Sequence, residues 1–244
     1  MKCLNCDNVV EGNFCSNCGQ KASTKRFSLI SVFDYAVLSG IFSINKGILF
    51  TIKELFTTPG HSIREYIEGK RTKYFNAFTL LLLLLTLSYF LEKFSGIKFA
   101  DITAEGSKEF ATLLEEFMNE YPRIIFLINI PLLAIVSYLL FRKSNFYFAE
   151  SLVLSTYIIS AQIILTLPLQ ILTIFYFKVE NIKILYNFLT VITLIYCIWF
   201  LYQFFLKYAN KKIGLLLKCI FTIIIYQVLQ SIVVAVIILF RKNF

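Results

Sequence analysis

Long apolar segments dominate the chain after residue 74. They cover residues 75–91, 124–141, 151–177, 184–206 and 213–240. An α-helix needs about 20 apolar residues to cross the ~30 Å hydrocarbon core of a bilayer. The segments do not alternate between polar and apolar positions, as the strands of a membrane β-barrel would. The pattern therefore predicts an all-α membrane protein in which residues 75–244 form a bundle of about five transmembrane helices.

The third of these segments leaves two topologies open. It is long and contains Pro168, so it could cross the membrane once or turn back as a re-entrant hairpin. Five full crossings place Arg241 and Lys242 on the side opposite the N-terminus, whereas a hairpin returns them to the same side. The charge distribution of the other loops favours five crossings.

A different pattern precedes the first apolar segment. Between residues 27 and 74, apolar positions recur at helical spacing with polar positions opposite, which is typical of helices that lie in the membrane interface. In the stretch TTPGHSIREYIEGK, Thr58 suits a helix N-cap, Pro59 the first helical position and Gly69 the helix end. The sequence therefore predicts amphipathic, cytoplasmic interfacial helices over residues 27–74.

Composition and charge agree with membrane insertion and predict an orientation. Hydrophobic residues make up 58% of the chain and charged residues 16%, whereas soluble domains are about a quarter charged. The loop 92–121 contains seven acidic residues and three lysines, while basic residues flank the other helix ends. Basic loops stay in the cytoplasm, and residues 1–20 lack the apolar stretch of a signal peptide. We therefore predict a multi-pass protein of the inner (cytoplasmic) membrane, with a cytoplasmic N-terminus and an external acidic loop.

Four cysteines near the N-terminus predict a metal site. Cys3 and Cys6 form one CxxC pair, and Cys15 and Cys18 form another. Four thiolates at such spacing can surround Zn²⁺ tetrahedrally, and a site filled by four sulfurs is structural because no open position remains for catalysis. Disulfides are disfavoured in the reducing cytoplasm, and the βαβ context of a thioredoxin-like redox motif is absent. Residues 1–22 are therefore predicted to form a small zinc ribbon.

Nucleic acid is disfavoured as a partner of this ribbon. Residues 1–26 carry a net charge of only +2 and contain few aromatic residues, whereas nucleic-acid-binding modules present dense basic patches and stacking surfaces. The expected partners are membrane lipids and a cytoplasmic or membrane protein.

Three stretches of the chain stand out: CGQK at the end of the ribbon, TPGHSIREYIEGKRTKYFNAF before the first span, and RKSNFYFAESLVLS at the entry to the third span. Together they resemble a bacterial domain-of-unknown-function family of polytopic membrane proteins with an N-terminal zinc ribbon. The resemblance implies an inner-membrane protein without naming an activity. It associates the third stretch with a glutamate followed by histidine. Here Glu150 is present but Ser151 takes the place of the histidine, so a role carried by that histidine is not expected in this chain.

Two groups of residues are candidate sites beyond the cysteines. Basic and aromatic residues before the first span can contact lipid phosphate, because arginine offers a bidentate fork and tyrosine suits the interface. They are Arg64, Lys70, Arg71, Lys73 and Tyr74. Uncharged polar residues on the third and fifth spans can either bond between helices or line a polar cavity. They are Ser155, Gln162, Thr166, Gln170, Tyr226 and Gln230.

The function predicted from these features is that of a membrane-anchored interaction or assembly factor that uses its cytoplasmic zinc ribbon. Two alternatives remain open: a transporter-like bundle that handles lipids or small solutes, and an enzyme that acts on lipid headgroups. The spans after the first contain no ionisable residue at mid-depth, which disfavours proton-coupled transport. His61 is the single histidine and has no recognisable catalytic partner, so no catalytic residue is assigned and a non-enzymatic role is favoured.

Overall fold

The computed structural model describes residues 1–32, 47–95, 124–176 and 178–242, together with positions 97, 102, 112–113 and 116–117. Part of the predicted interfacial region, residues 33–46, and most of the predicted external loop 92–121 lie outside the described residues.

The described chain is helical, which confirms the predicted fold class. Its helices are α1 (Gly47–Thr57), α2 (Pro59–Glu68), α3 (Ala77–Phe94), α4 (Ile124–Leu140), α5 (Phe148–Phe175), α6 (Val179–Phe205) and α7 (Lys212–Lys242). The described residues contain no β-strand beyond two isolated bridges in the N-terminal ribbon.

Four of these helices are long and apolar enough to cross a membrane. They correspond to Ala77–Phe94, Phe148–Phe175, Val179–Tyr208 and Lys212–Ile237. The predicted span 124–141 forms α4, which has 17 residues and is shorter than the other four. The protein is thus a multi-pass membrane protein.

The third predicted span is a single helix and not a hairpin. α5 runs without interruption for 28 residues, about 42 Å at 1.5 Å per residue. Pro168 lies inside it, and membrane helices tolerate proline because neighbouring groups satisfy the freed backbone carbonyl.

The membrane helices alternate in direction around α5. α5 packs against α3, α4 and α6, and α7 packs against α4 and α6. At one end of the bundle, Phe141 stacks on Phe205 with ring centroids 3.7 Å apart, and Lys207 pairs with Glu68 of α2 at 2.7 Å. This end also adjoins the N-terminal ribbon, so we call it the ribbon end and the opposite one the far end. α7 starts at the ribbon end, and its C-terminus therefore points to the far end.

α1, α2 and the connection to Phe75 form a cap on the ribbon end. Leu55 and Ile63 are completely buried, in a hydrophobic core that is continuous with that of the bundle. Two buried tyrosines of the bundle also bond to backbone carbonyls of this region: Tyr157 Oη donates to Phe75, and Tyr196 Oη donates to Leu55 at 2.7 Å. The helices predicted as interfacial thus share one core with the membrane helices.

α2 approaches the end of α6 closely because Gly60 has no side chain. A Cβ added at Gly60 would lie 2.2 Å from the backbone nitrogen of Phe204. Arg64, one turn later, donates from Nη1 to the carbonyls of Gln203 and Phe204 at 3.0 and 2.8 Å. The last carbonyls of a helix have no partner inside the helix, so Arg64 caps α6.

Candidate functional site

The four cysteines of the ribbon lie together and could hold a metal ion. Their Sγ atoms are all within 4.8 Å of one another. Cys3 and Cys18 are 3.6 Å apart at sulfur, and Cys6 and Cys15 are 3.5 Å apart. A tetrahedron with metal–sulfur distances near 2.3 Å requires about 3.8 Å between sulfurs, so the arrangement is close to that of a four-thiolate site.

Two similar turns build this cluster. The backbone N–H of Asp7 donates to Cys3 O at 3.0 Å, and that of Gly19 donates to Cys15 O at 2.8 Å. Asp7 and Gly19 both have positive φ, 59° and 72°, a conformation that glycine adopts freely and aspartate tolerates better than most residues. Each turn therefore presents its two thiols on the same side.

The thiols are not electrostatically equivalent. The backbone N–H of Cys18 donates to the sulfur of Cys15 and lowers its pKa to about 7, whereas burial raises the pKa of Cys18 to about 11. A bound metal requires every ligand thiol to be deprotonated. Of these two thiols, Cys15 therefore forms its thiolate more readily than Cys18.

The ribbon is docked on the cap through Gln20. The Gln20 amide donates to Gly69 O at 2.9 Å and accepts from the backbone N–H of Arg71 at 3.1 Å, and the side chain is 5% exposed. Leu4 of the ribbon packs on Gly69, where an added Cβ would lie 2.9 Å from Leu4 Cδ1. Sequence reasoning assigned no role to Gln20, although it lies in the CGQK stretch of the family resemblance.

A second contact joins the linker that follows the ribbon to the membrane bundle. Arg26 forms a bidentate ion pair with Glu150 in the first turn of α5, at 2.8 and 2.7 Å. Its guanidinium also lies 4.3 Å from the ring centre of Tyr147 and donates to Asn145 O. The ribbon and its linker are thus attached to both the cap and the membrane bundle.

A polar cavity of about 420 Å³ lies between the membrane helices. Five of the six residues predicted to line a polar cavity do line this one: Gln162, Thr166, Gln170, Tyr226 and Gln230. Gln162 is at the middle of α5 and Thr173 is near its end, so the cavity runs about 16 Å from the middle of the bundle towards the far end. Ser155 does not line it. That residue is completely buried elsewhere, and its hydroxyl has no hydrogen-bond partner among the described residues.

Other helices complete the lining with residues that were not among the predicted cavity residues. Ser88 and Glu92 come from α3, Asn129 from α4, Tyr186 and Thr193 from α6, and Gln227 from α7. Pattern analysis of a single helix does not assign them, because a polar residue faces a cavity or a neighbour according to how the helices are rotated against each other.

Some of the polar side chains bond across helices and others do not. Gln170 and Ser88 are hydrogen-bonded at 2.8–3.0 Å, and Gln162 donates to Cys197 Sγ at 3.1 Å. Asn129 and Tyr226 are 7% and 3% exposed, yet their side chains form no hydrogen bond to the other described residues. The fully enclosed side-chain atoms without a partner in the described chain belong to Thr79 and Ser155, so the polar atoms of Asn129 and Tyr226 are open to the cavity, where they can bond to a ligand or to water.

A smaller cavity of about 340 Å³ lies between the cap and the ribbon. It brings together three of the five residues predicted to contact lipid phosphate, Lys70, Lys73 and Tyr74. Lys70 pairs with Glu65 at 2.7 Å, which holds the pKa of that carboxyl below its usual value. Glu54, His61 and Glu65 also line this cavity, so its charges are mixed.

The two predicted arginines lie elsewhere and have intramolecular partners. Arg64 caps α6, as described above. Arg71 stacks on Phe27, with the guanidinium carbon 3.7 Å from the ring centre, and donates to the carbonyls of Tyr66 and Lys25. Arg64 also contacts His61 of the cavity between cap and ribbon at 3.0 Å, so both arginines are engaged within the protein.

A family model described as a protein of unknown function (DUF3667) matches residues 45–89. Searches among curated proteins and solved structures find no significant match. The chain is thus similar, over this segment, to a family of unknown function. The matched segment contains α1, α2, the Gly69 turn that receives the ribbon and most of α3, so the similarity covers the cap and its junction with the membrane bundle.

Proposed function

We propose that this protein binds a small polar molecule, or the polar headgroup of a lipid, in the cavity of its membrane bundle. The observation that carries the proposal is the pair of buried side chains, Asn129 and Tyr226, that face this cavity without a partner among the described residues. The volume of about 420 Å³ lies within the 300–1,000 Å³ common for ligand pockets. Bonding between helices accounts for the Ser88–Gln170 pair, whereas it does not account for Asn129 and Tyr226.

Native mass spectrometry after mild detergent extraction tests this proposal. The wild-type protein should retain a non-protein mass that collisional activation releases. Asn129→Leu removes a polar group from the cavity at similar volume and should reduce that retention. Ser155→Ala is the matched control, since it changes a buried polar residue outside the cavity. Equal loads in wild type and Asn129→Leu would argue against the cavity as a binding site.

The proposal also includes the orientation of the protein in the membrane, which its charged residues set, and the identity of the metal, which is zinc. Basic residues flank the helix ends beside the ribbon, which supports a cytoplasmic ribbon in the inner membrane. Four thiolates at short spacing form the ligand set typical of structural Zn²⁺. The zinc holds the ribbon folded, and Gln20 and Arg26 attach the ribbon to the cap and bundle.

Contact with lipid phosphate remains part of the proposal for Lys70, Lys73 and Tyr74. Lys73 is exposed at the junction with α3, where a cation near an anionic surface contributes about 1 kcal/mol. Lys73→Gln should therefore weaken binding to anionic vesicles and leave binding to neutral vesicles unchanged. The side chains of Arg64 and Arg71 have intramolecular partners. Substitutions there would also disturb the capping of α6 by Arg64 and the contacts of Arg71 with Phe27 and Lys25, and so would not measure lipid binding alone.

A second candidate function is the interaction or assembly factor expected from the sequence. Val9 and Phe14 of the ribbon are 65% and 62% exposed, and apolar residues at such exposure suit contact with a cytoplasmic protein. A photo-crosslinking residue at position 14 should then capture one defined partner. The same residue at position 213, in the exposed first turn of α7, serves as the control. Identical capture patterns at the two positions would contradict this function.

A further inference from the structure

The charge of the polar cavity restricts what it can bind. Among the described residues that line it, Glu92 is the one side chain that is charged at neutral pH, and no lysine, arginine or histidine is present. Lys70 and Lys73, in contrast, line the cavity between cap and ribbon. A phosphate placed in the bundle cavity would give up its hydration, and the described lining offers no cation to balance its charge, which is unfavourable.

A cationic ligand is also a poor match. Glu92, the single carboxylate in the described part of the lining, belongs to the exposed last turn of α3 and already takes part in another interaction. The unpartnered side chains Asn129 and Tyr226 are neutral. A cation near them would lose its hydration and gain no contact with a negative charge of the described lining beside them.

The neutral lining is dominated by side-chain amides. The carboxamides that line the cavity belong to Asn129, Gln162, Gln170, Gln227 and Gln230. Each carboxamide has two N–H donors and one carbonyl acceptor, and the threonine and tyrosine hydroxyls both donate and accept. A ligand with several hydroxyl groups matches this set, because every hydroxyl can donate to a carbonyl and accept from an N–H.

From this match we infer that the cavity binds an uncharged polyhydroxyl group, a sugar or polyol, as a lipid headgroup or as a free solute. The inference rests on the proposed function, which it makes specific. Among ligands with the same alkyl chain, the cavity should therefore bind a neutral polyhydroxyl headgroup more tightly than a charged one.

Four probes test the inference with purified protein held in an amphipathic polymer instead of a glycoside detergent. They are octyl β-glucoside, methyl β-glucoside, octyl phosphate and octyltrimethylammonium, each below its critical micelle concentration. Titration calorimetry should show octyl β-glucoside binding at least about tenfold more tightly than either charged probe. Gln230→Leu and Asn129→Leu should each weaken this binding about tenfold, as expected for the loss of a hydrogen bond in a buried site. Ser155→Ala should leave it unchanged.

The methyl glucoside distinguishes the two sources of the sugar or polyol. Comparable affinity for methyl and octyl β-glucoside identifies a free solute, whereas a strong preference for the octyl compound identifies a lipid headgroup. Either result supports the inference.

Other outcomes separate the inference from the proposed function. If a charged probe binds as tightly as octyl β-glucoside and Asn129→Leu abolishes its binding, the inference is overturned and the proposed function stands. If no probe binds, the mass retained by the native protein decides: a polyhydroxyl compound supports the inference, and a charged or apolar one overturns it. If no probe binds and no mass is retained, both fail.

Discussion

Arg26 and Glu150 form a two-bond ion pair across 124 residues of chain. Arg26 Nε donates to Oε1 at 2.8 Å and Nη2 donates to Oε2 at 2.7 Å. The Glu150 side chain is 1% exposed and that of Arg26 is 51% exposed. Glu150 Oε2 also accepts from the backbone N–H of Tyr147 at 3.0 Å. Since a buried carboxylate without a cation is unfavourable, the docking of the linker and the burial of Glu150 depend on each other.

Arg26→Ala should lower the free energy of unfolding by about 1–3 kcal/mol, less than for a fully buried pair because Arg26 is half exposed. The double variant Arg26→Ala/Glu150→Gln should recover part of that loss, since a neutral amide leaves no unbalanced charge. Denaturant titration in detergent, followed by circular dichroism, measures both. Purely additive effects of the two substitutions would show that the pair does not couple linker and bundle.

Gln20→Leu should release the ribbon from the cap without removing its metal. The substitution keeps the size of the side chain but leaves Gly69 O and the Arg71 N–H without the bonds that Gln20 supplies. The linker at residues 22–27 should then become more sensitive to protease, while metal content stays at the wild-type level. Asn8→Leu is the matched control, because Asn8 holds the equivalent place in the first turn and is exposed. Equal cleavage rates in both variants would contradict a docking role for Gln20.

Cys15→Ser should abolish metal binding. Loss of one of four thiolates removes the closed tetrahedral set, and such small domains depend on their metal for folding. Elemental analysis should find about one zinc per wild-type chain and none in the variant, with helical content of the bundle retained. Cys219→Ser provides the control, since Cys219 is buried in the membrane bundle. An unchanged zinc content in Cys15→Ser would show that the four cysteines do not form the metal site.

Gly60→Ala should separate α2 from α6. The added methyl group would meet the backbone of Phe204 at 2.2 Å, and overpacking of this kind commonly costs about 1–3 kcal/mol. The bonds from Arg64 to the end of α6 should weaken with it. Gly12→Ala adds the same group where no atom lies within 4 Å. Similar melting temperatures for the two variants would show that the contact adapts freely.

Cysteine labelling tests the orientation. Asn145 and Asn181 are both exposed. Asn145 follows α4 at the ribbon end, and Asn181 lies in the first turn of α6 at the far end. A membrane-impermeant thiol reagent should label Asn181→Cys, but not Asn145→Cys, in cells with a permeabilised outer membrane. A cysteine added after Phe244 should behave like Asn181→Cys, because α7 ends at the far end. The reverse pattern would place the ribbon outside.

Local signals in the sequence predicted the helix that receives the ribbon, with one exception. Pro59 begins α2 and Gly69 ends it with φ of 121°, as the proline and glycine rules expect. Thr58 does not cap the helix with its side chain, since its hydroxyl donates instead to Glu54 at 2.8 Å. Glu54 lies one helical turn earlier, in α1, and the backbone N–H of Thr58 donates to Glu54 O at 3.0 Å, so helical spacing brings the two side chains together.

The sequence by itself determined the membrane segments and the cysteine ligand set. Apolar length decides whether a helix can cross a bilayer, and two CxxC turns bring their thiols together through local geometry. Both properties depend on residues close in the chain. The tertiary structure decided the rest: the Arg26–Glu150 pair, the attachment of Gln20 to the Gly69 turn, and the facing of Asn129 into the same cavity as Gln230. These contacts join distant segments, and they depend on how each helix is rotated and shifted against its neighbours, which only the packing of the whole bundle sets.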